Sequence, residues 1–328
     1  MFQNHQQFVL QPLISIIIPT FNRASLISDT LNSVLSQTYS NWECIIVDDD
    51  SNDDTEEIVN NYLSVDNRFQ FYKRPLELLK GANSCRNYGY SKSTGDYVKW
   101  FDSDDLLHSD CLKNQIESVL FHKKPIVFCE YHLFKEKSNF DTKPQHSYKN
   151  VTNIFHDFIQ GSLVLNTQIA LFDRNVVNQI RFDESLTRAQ DLDFIFRILE
   201  NNQDNVFLQN EVLVQIRAHA NSITGNFHRG NVEALNSEIK VRKRIYDHVV
   251  DSSLSTTIKK KVLVNCLNSF RALLINGFYD QYKYEMNLMS TKLSFKKKFY
   301  LKVLLLIASI YNKTGRGLYF YGKISKKI

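Results

Sequence analysis

Short, continuous apolar runs alternate with amphipathic segments between residues 13 and 129. A run of this kind, bounded by polar or turn residues, is typical of a strand buried on both faces of a parallel sheet. Between the runs, apolar side chains recur every three to four positions, as on one face of a helix. The pattern predicts βαβ units in an α/β domain. The predicted strands are Leu13–Ile18, Glu43–Val47, Arg68–Tyr72, Tyr97–Phe101 and Ile126–Cys129.

Acidic residues stand at the start of two of the predicted helices. An Asp side chain can accept a hydrogen bond from the free N–H groups of a first helical turn. We expect Asp53 and Asp54, and Asp54 in particular, to cap the helix that follows Ser51. We expect Asp110 to cap the helix that begins at Cys111. The predicted helices cover residues 27–38, 51–63, 83–92 and 111–120.

Two acidic clusters directly follow predicted strands, at Asp48–Asp50 and Asp102–Asp105. Because ligands of open α/β sheets bind beyond the carboxyl ends of strands, both clusters should face one crevice. Carboxylates that converge without a cation repel one another. The D-x-D spacing of Asp102 and Asp104 places two carboxylates on one side of an extended segment. A divalent cation takes such oxygen ligands together with substrate phosphates, although D-x-D triplets also occur in ordinary surface loops.

The composition is that of a globular protein. The chain has 328 residues, of which 43% are hydrophobic and 12% aromatic, so disorder and small disulfide scaffolds are excluded. Its five cysteines form no CxxC pair, which argues against a disulfide framework or a zinc site and favours a reducing compartment. We find no secretory signal and no G-x-G-x-x-G after a strand, so no dinucleotide cofactor is expected.

Charge is distributed unevenly along the chain. From Ser252 to the end there are 15 Lys or Arg against Asp280 and Glu285, whereas the remainder carries 25 basic and 33 acidic residues. Within this basic tail, Phe299–Tyr311 is apolar except for Lys302. Two interpretations are open. The segment lies in the interface of an anionic membrane, or it is a core helix. No nucleic-acid motif accompanies the charge. The core partners would be Leu263, Leu267, Phe270 and Leu274.

Six ordered motifs between Leu13 and Thr224 resemble those of family 2 glycosyltransferases, which have the GT-A fold. We therefore expect a Rossmann-like nucleotide-binding sheet flanked by helices in residues 1–225, and a mostly helical, basic region in residues 226–328. The motifs are SIIIPTFNR from Ser15, QTYSN from Gln37, ECIIVDDDSNDDT from Glu43, GANSCRNYG from Gly81, GDYVKWFDSDD from Gly95 and AQDLDFIFRIL from Ala189.

The resemblance implies a site for a nucleotide-sugar. The stretch from Pro19 to Asn22 and Asp48 would cradle the nucleobase, and Asp102 would lie near the ribose. Asp104 would bind Mg²⁺ or Mn²⁺ bridging the diphosphate. The residues implied in holding the donor are Pro19, Thr20, Phe21, Asn22, Asp48, Arg86, Asp102, Asp104 and Arg217.

The resemblance also implies a catalytic base. Asp191 matches the acid that deprotonates the acceptor hydroxyl in inverting members, whereas the bare sequence would favour a helix cap at this position. Asp193 would be a solvated or supporting acid. His219, in an R-x-H segment, would contact the metal or a phosphate. Asp50 departs from the family pattern because a glycine is usual there, so the turn loses a permissive residue.

The expected reaction is a metal-dependent, inverting transfer of a hexose or N-acetylhexosamine. The donor would be a nucleotide-sugar, UDP-linked, and the acceptor a hydroxyl of a carbohydrate or lipid-linked molecule in surface polysaccharide or glycolipid synthesis. We expect a cytoplasmic location with peripheral contact at the inner face of an anionic membrane, and no nucleic-acid partner. The alternatives are a nucleotidyltransferase and a non-catalytic nucleotide-sugar-binding scaffold.

Overall fold

The structure is a computed structural model that describes residues 11–135, 139–140, 143–218 and 231–328. The strands are β1 (Ile14–Thr20), β2 (Trp42–Asp48), β3 (Phe69–Lys73), β4 (Tyr97–Trp100), β5 (Leu106–Leu107), β6 (Ile126–Phe134), β7 (Ala170–Asp173) and β8 (Val206–Arg217). The α-helices are α1 (Ile27–Leu35), α2 (Thr55–Val65), α3 (Ala82–Lys92), α4 (Cys111–His122), α5 (Ile154–Gln160), α6 (Arg174–Val177), α7 (Gln190–Asn202), α8 (Val232–Val250), α9 (Thr256–Ile275), α10 (Tyr279–Thr291), α11 (Phe295–Thr314) and α12 (Leu318–Ser325).

The strands form one mixed sheet in the order β3-β2-β1-β4-β7-β6-β8-β5. The pairs β1–β2, β2–β3 and β1–β4 are parallel, as the βαβ pattern predicts. Every residue of β1 and β2 is buried, which explains why both strands are continuous apolar runs. The other half of the sheet contains antiparallel pairs, in which β7 joins β4 to β6 and β5 joins β8.

Helix α3 packs closely on β1 and β2, and a glycine makes this approach possible. A Cβ atom on Gly89 would lie 2.5 Å from Ile17 Cγ2 and 3.2 Å from Val47 Cγ2. Real Cβ atoms essentially never come within 3.0 Å of such neighbours. The glycine therefore sets the depth of α3 against the sheet, and with it the position of the polar residues on the N-terminal half of that helix.

The chain divides into two compact units. The first, which holds the whole sheet, comprises the described residues of Met1–Thr152, Val164–Glu184 and Arg197–Ala218. The second comprises Asn153–Leu163, Ser185–Phe196 and the described residues of His219–Ile328. The predicted domain boundary at residue 225 lies outside the described residues and stays a prediction.

The second unit is helical. Helices α8 to α12 pack in sequence, each on the next, and α5 packs on α9. Its largest fully buried side chains include Tyr282, Tyr321 and Phe270. Among the residues that the structure describes, no helix combines the length and the apolar character needed to cross a membrane.

Two predicted caps are wrong in detail. Asp54 stands at the first position before α2, but its side chain makes no cap hydrogen bond. Asp53 takes that role, since its Oδ1 accepts from the backbone N–H of Thr55 at 3.1 Å. Asp110 likewise precedes α4 without a cap bond, and its Oδ1 accepts from Thr38 Oγ1 at 2.7 Å instead. At Asp110 the hydroxyl of Thr38 competes with the helix end for the carboxylate.

Candidate active site

The carboxyl ends of β1, β2 and β4 meet at one edge of the sheet. Thr20 at the end of β1 pairs with Asp48 at the end of β2, and Asp49 N donates to Thr20 O at 2.8 Å. On the other side of β1, Phe101 N donates to Ile17 O at 2.9 Å, so the segment leaving β4 starts beside the same strand. The register of these three strands brings the two acidic loops to the same edge, as the sequence predicts.

The first acidic loop is tied to the residues that follow β1. Asp48 is buried, and its two carboxylate oxygens accept from the N–H and the hydroxyl of Ser51. Ser51 Oγ in turn accepts from Asn22 N at 2.9 Å, and Asn22 Oδ1 accepts from Asn52 N at 2.9 Å. These bonds join two loops into one rigid rim, so Asn22 and Asp48 are held in a fixed relation.

Two backbone positions of this rim adopt the left-handed conformation. Asn22 has φ +50° and Asp50 has φ +68°. Asn and Asp tolerate this region better than most residues, but glycine occupies it at no steric cost. The turn therefore requires a left-handed backbone conformation, which favours glycine. Asp50 adopts it at a cost in backbone strain.

Asp49 is neutralised within the protein. Its Oδ1 lies 2.5 Å from Arg74 Nε, and both side chains are more than nine-tenths buried. Arg74 also donates to the carbonyl oxygens of Pro75 and Leu78, at 2.9 and 2.6 Å. The positive charge opposite this carboxylate is therefore supplied by the protein itself. The sequence carried no signal for the Arg74 pairing, because the partner lies on the segment after a different strand.

An aromatic ring stands at the rim. Phe21 is 40% exposed, and Lys80 Nζ lies 4.4 Å from the centre of its ring. The two residues before Phe21, Pro19 and Thr20, end β1 and are buried. Among the described atoms, Thr20 Oγ1 has no hydrogen-bond partner although it is buried. An exposed aromatic face beside a polar strand end is suited to contact a planar base.

The second acidic loop is held by side chains from several other segments. Asp102 Oδ1 accepts from Arg86 Nη2, and Asp102 Oδ2 accepts from Gln168 Nε2, each at 2.8 Å. Arg86 is buried on α3, where its Nη1 donates to Asn83 Oδ1 at 3.1 Å. The guanidinium carbon also lies 5.2 Å from the ring centre of Phe182. Arg86 and Asp102, which the resemblance assigned separately to the nucleotide, are thus direct partners.

Asp104 and its neighbour lie between two further arginines. Arg23 Nε lies 3.5 Å from Asp104 Oδ2, and Arg217 Nε donates to the backbone oxygen of Asp104 at 3.0 Å. The backbone N–H of Arg217 donates to Asp105 Oδ1 at 2.9 Å. The side-chain Nη2 of Arg217 lies 2.8 Å from Asp29 Oδ2. Arg217, at the end of β8, is therefore placed against the acidic loop from 112 residues away in sequence. Arg23 is part of the SIIIPTFNR motif, but the sequence assigned it no role.

The second loop brings three carboxylates close together. Burial raises the pKa of the Asp105 carboxyl well above its usual range, and the nearby carboxylates of Asp104 and Asp102 raise it further. Within the described part of the chain, no three His, Cys, Asp or Glu residues are grouped so as to hold a metal by themselves. Mg²⁺ and Mn²⁺ commonly use one or two protein carboxylates and complete their shell with phosphates and water. Asp102 and Asp104 fit that donor set. His219, the other expected ligand, lies outside the described residues.

Asp191 belongs to the second unit. It is half-buried in the first turn of α7, which begins at Gln190, so it lies inside the helix and not at its cap. A carboxylate in a first turn is stabilised by the partial positive charge of the helix N-terminus. Asp193, two residues further along the helix, is fully buried and ion-paired with Arg244, which rules out a solvated acid there. The first turn of α7 therefore carries one buried, paired carboxylate and one that is partly accessible.

The family comparison decides the assignment of the chain. The family model described as glycosyl transferase family 2 matches residues 15–181, which is half of the sequence. The chain belongs to this family. It is a glycosyltransferase, as the motifs predicted.

Three curated relatives illustrate the range of the family. An uncharacterized glycosyltransferase of Rickettsia typhi is 34% identical over 65% of this chain and 66% of its own length. The putative teichuronic acid biosynthesis glycosyltransferase TuaG of Bacillus subtilis is 32% identical over 66% of this chain and 83% of its own. WfgD of Escherichia coli, named as a UDP-Glc:alpha-D-GlcNAc-diphosphoundecaprenol beta-1,3-glucosyltransferase, is 34% identical over 38% of this chain and 48% of its own.

Solved structures with the same fold confirm the GT-A prediction. S. aureus TarS 1–349 in complex with UDP-GlcNAc superposes with a TM-score of 0.66 at 19% identity, over 96% of this chain and 90% of that one. The mannosyltransferase of Pyrobaculum calidifontis in complex with GDP-Man and Mn²⁺ gives a TM-score of 0.55 at 14% identity, over 94% and 89%. The curled eight-stranded sheet with flanking helices is therefore a GT-A sheet, and a helical region follows it.

Proposed function

We propose that this glycosyltransferase moves a hexose or N-acetylhexosamine from a UDP-sugar to an acceptor hydroxyl with inversion at the anomeric carbon. The observation that carries the proposal is the meeting of two acidic strand ends at one edge of the sheet, with several carboxylates and arginines gathered in the second loop. A nucleoside diphosphate has a neutral base and anionic phosphates, so its phosphates would approach these carboxylates through a divalent cation.

In this proposal the first loop and the residues after β1 hold the nucleobase. Pro19, Thr20, Phe21 and Asn22 line one side, and the buried Asp48 accepts hydrogen bonds at the other. The Phe21 ring supplies an exposed flat face, and Thr20 Oγ1 supplies a buried polar atom. Because Ser51 and Asn52 bridge the loops, little ordering of the backbone is needed when the nucleotide binds.

The second loop would hold the ribose and the diphosphate. Asp102 is oriented by Arg86 and Gln168 and would accept from the ribose hydroxyls. Asp104 would hold Mg²⁺ or Mn²⁺, which when bound offsets the negative charge that the departing diphosphate gains. Arg217 contributes a fixed positive charge beside the same loop. The guanidinium groups of Arg23 and Arg86 also keep the carboxylates oriented before the donor arrives.

Asp191 would act as the general base, a role that rests on its match to the AQDLDF motif. The acceptor oxygen attacks the anomeric carbon, the bond from that carbon to the diphosphate oxygen breaks, and the nucleoside diphosphate leaves with the electron pair. The hydroxyl proton passes to the Asp191 carboxylate. Proton transfer of this kind contributes about 10²- to 10⁴-fold to the rate.

The acceptor would be a carbohydrate or a lipid-linked saccharide of surface polysaccharide or glycolipid synthesis. The names of the relatives TuaG and WfgD support this, since one refers to teichuronic acid and the other to a diphosphoundecaprenol-linked sugar. The complex of TarS with UDP-GlcNAc supports a UDP-linked donor. A membrane-bound acceptor would place the reaction at the inner face of the membrane, which agrees with the expected cytoplasmic location.

The test is to compare Asp191→Asn with the wild type. The substitution keeps the size of the side chain but removes the base, so UDP binding should be unchanged while transfer to a saccharide acceptor falls by about 10²-fold or more. Donor binding is measured by thermal shift with UDP-sugars and Mn²⁺, since a ligand of the folded state raises its stability. Asp193→Asn, at the buried ion pair, should instead lower stability. Wild-type release of pyrophosphate from a nucleoside triphosphate would contradict the proposal.

A further inference from the structure

Helix α11 has one buried and one exposed apolar face. Leu301, Leu304 and Ala308 point into the second unit and are almost completely buried. On the opposite face four large apolar side chains are open to solvent, within an arc of about 60° at 3.6 residues per turn. Their exposed fractions are 91% for Phe295, 62% for Phe299, 63% for Leu306 and 47% for Ile310. One side of the helix is therefore core, as one of the two sequence interpretations expects, and the other side is exposed.

The next helix also carries exposed apolar side chains. Helix α12 packs on α11, and its Tyr319 and Phe320 are more than half exposed. Six exposed large apolar side chains therefore stand on two helices that contact each other. An exposed apolar stripe like that of α11 marks a surface that contacts another apolar phase.

Only positive charge accompanies this face. Lys298 and Lys302 border it on one side, and Lys313 lies beyond Ile310. From Lys292 to the end, the sequence has ten Lys or Arg and no Asp or Glu. Burial lowers the pKa of Lys297, and the nearby charge of Lys260 on α9 lowers it further, so these two cations lie close together. Lys292, before the helix, is paired with Asp247. Such a surface is complementary to an anion of large area.

From this arrangement we infer that the face formed by Phe295, Phe299, Leu306 and Ile310, with Tyr319 and Phe320, lies in the headgroup region of an anionic lipid bilayer. The helix lies in the plane of the membrane, with its apolar side chains about 5–10 Å deep and its lysines at the level of the lipid phosphates. Lipid explains both features together, since nucleic acid would use the charge but not four aliphatic and aromatic side chains. The inference does not depend on the identity of the sugar donor.

The experiment is co-sedimentation of the full chain with vesicles. One set contains phosphatidylcholine alone, and the other also contains phosphatidylglycerol. We expect binding to the second set at low salt, weakened by added NaCl because salt screens the lysines. Leu306→Glu combined with Ile310→Glu should raise the half-saturating lipid concentration about tenfold or more. Lys298→Glu with Lys302→Glu should raise it roughly fivefold for each lysine.

The controls use exposed positions elsewhere in the chain. Phe121→Glu, on α4, and Lys283→Glu, on α10, should leave vesicle binding unchanged. Circular dichroism and the melting temperature confirm that each variant is folded. The inference is overturned if the wild type does not bind anionic vesicles at low salt, or if the Leu306 and Ile310 variant binds as well as the wild type. A wild-type dimer that this variant dissociates, without vesicle binding, would assign the face to a second copy of the chain instead.

Discussion

The two acidic loops at the edge of the sheet have similar sequences but different electrostatics. In the loop after β2, both oxygens of Asp48 accept hydrogen bonds from Ser51, and Asp49 is paired with Arg74. In the loop after β4, Asp102 and Asp104 each meet an arginine, and the pKa of the nearby Asp105 is raised, first by burial and then by its acidic neighbours. The first loop is thus held by hydrogen bonds and one buried ion pair, whereas the second gathers three carboxylates and arginines from three other segments.

The largest effect should come from removing a carboxylate of the second loop. Asp104→Ala is expected to weaken metal-dependent donor binding by about 100-fold, since a carboxylate bound to a divalent ion contributes several kcal/mol. Calorimetric titration with UDP, with and without Mn²⁺, measures the loss. Asp50→Asn, an exposed carboxylate of the first loop, is the matched control and should change binding little. Turnover that survives complete chelation of divalent ions would contradict the metal assignment.

A second effect should appear in stability and arise from the first loop. Arg74→Met leaves Asp49 buried without its partner, which should lower the free energy of unfolding by about 3–5 kcal/mol. Denaturant unfolding measures the change. Adding Asp49→Asn to this variant should restore part of the loss, because the unpaired charge is then removed. If Arg74→Met alone were as stable as the wild type, the Arg74–Asp49 ion pair would not stabilise the loop.

The exposed pair of Lys73 and Glu56 is the control for that prediction, since its Nζ and Oε2 lie 2.7 Å apart in solvent. Lys73→Met should have little effect on unfolding, because water and salt screen exposed ion pairs. The contrast tests whether burial, and not simply the presence of an ion pair, makes the first loop rigid.

The smallest effect should come from the backbone of the turn at Asp50. Its φ is +68°, a value that is strained for a β-branched residue and unstrained for glycine. We expect Asp50→Gly to be more stable than Asp50→Val by about 1–2 kcal/mol. Thermal unfolding of both variants measures the difference, and donor affinity should stay nearly equal. Equal stabilities would mean that the turn relaxes out of the left-handed region.

The sequence predicted the parallel half of the sheet closely. The ends of β1, β2, β3 and β4 fall within two residues of the predicted runs, because these strands are short, apolar and bounded by polar turns. It did not predict β7, which has only four residues, or β8. In β8 the polar run Gln209–Glu211 interrupts the apolar pattern, and the pairing with β6 shifts register at Glu130. An interrupted pattern of this kind has neither a strand nor a helix period.

Contacts of individual side chains were also not predicted where the partners are remote in sequence. Lys99 is unexpected in a buried strand, and its partners explain it, since Nζ donates to Gln115 Oε1 at 3.1 Å and to Ala170 O at 3.2 Å. These partners lie 16 and 71 residues away in the chain, on a helix and at the start of a strand. The Arg74 contact with Asp49 spans 25 residues, and the Arg217 contact with Asp105 spans 112. The roles assigned to the site residues, Asp191 among them, stay predictions that the experiments above test.

The sequence alone determined the strand and helix order of the nucleotide-binding half, the family of the enzyme and the position of both acidic loops. Local pattern suffices for these because burial and turn chemistry act over a few neighbouring residues. Only the tertiary structure decided which carboxylates are neutralised, which remain crowded, and which face of α11 is left uncovered. Those properties depend on the distance between groups that are remote in the chain, and no period or motif encodes that distance.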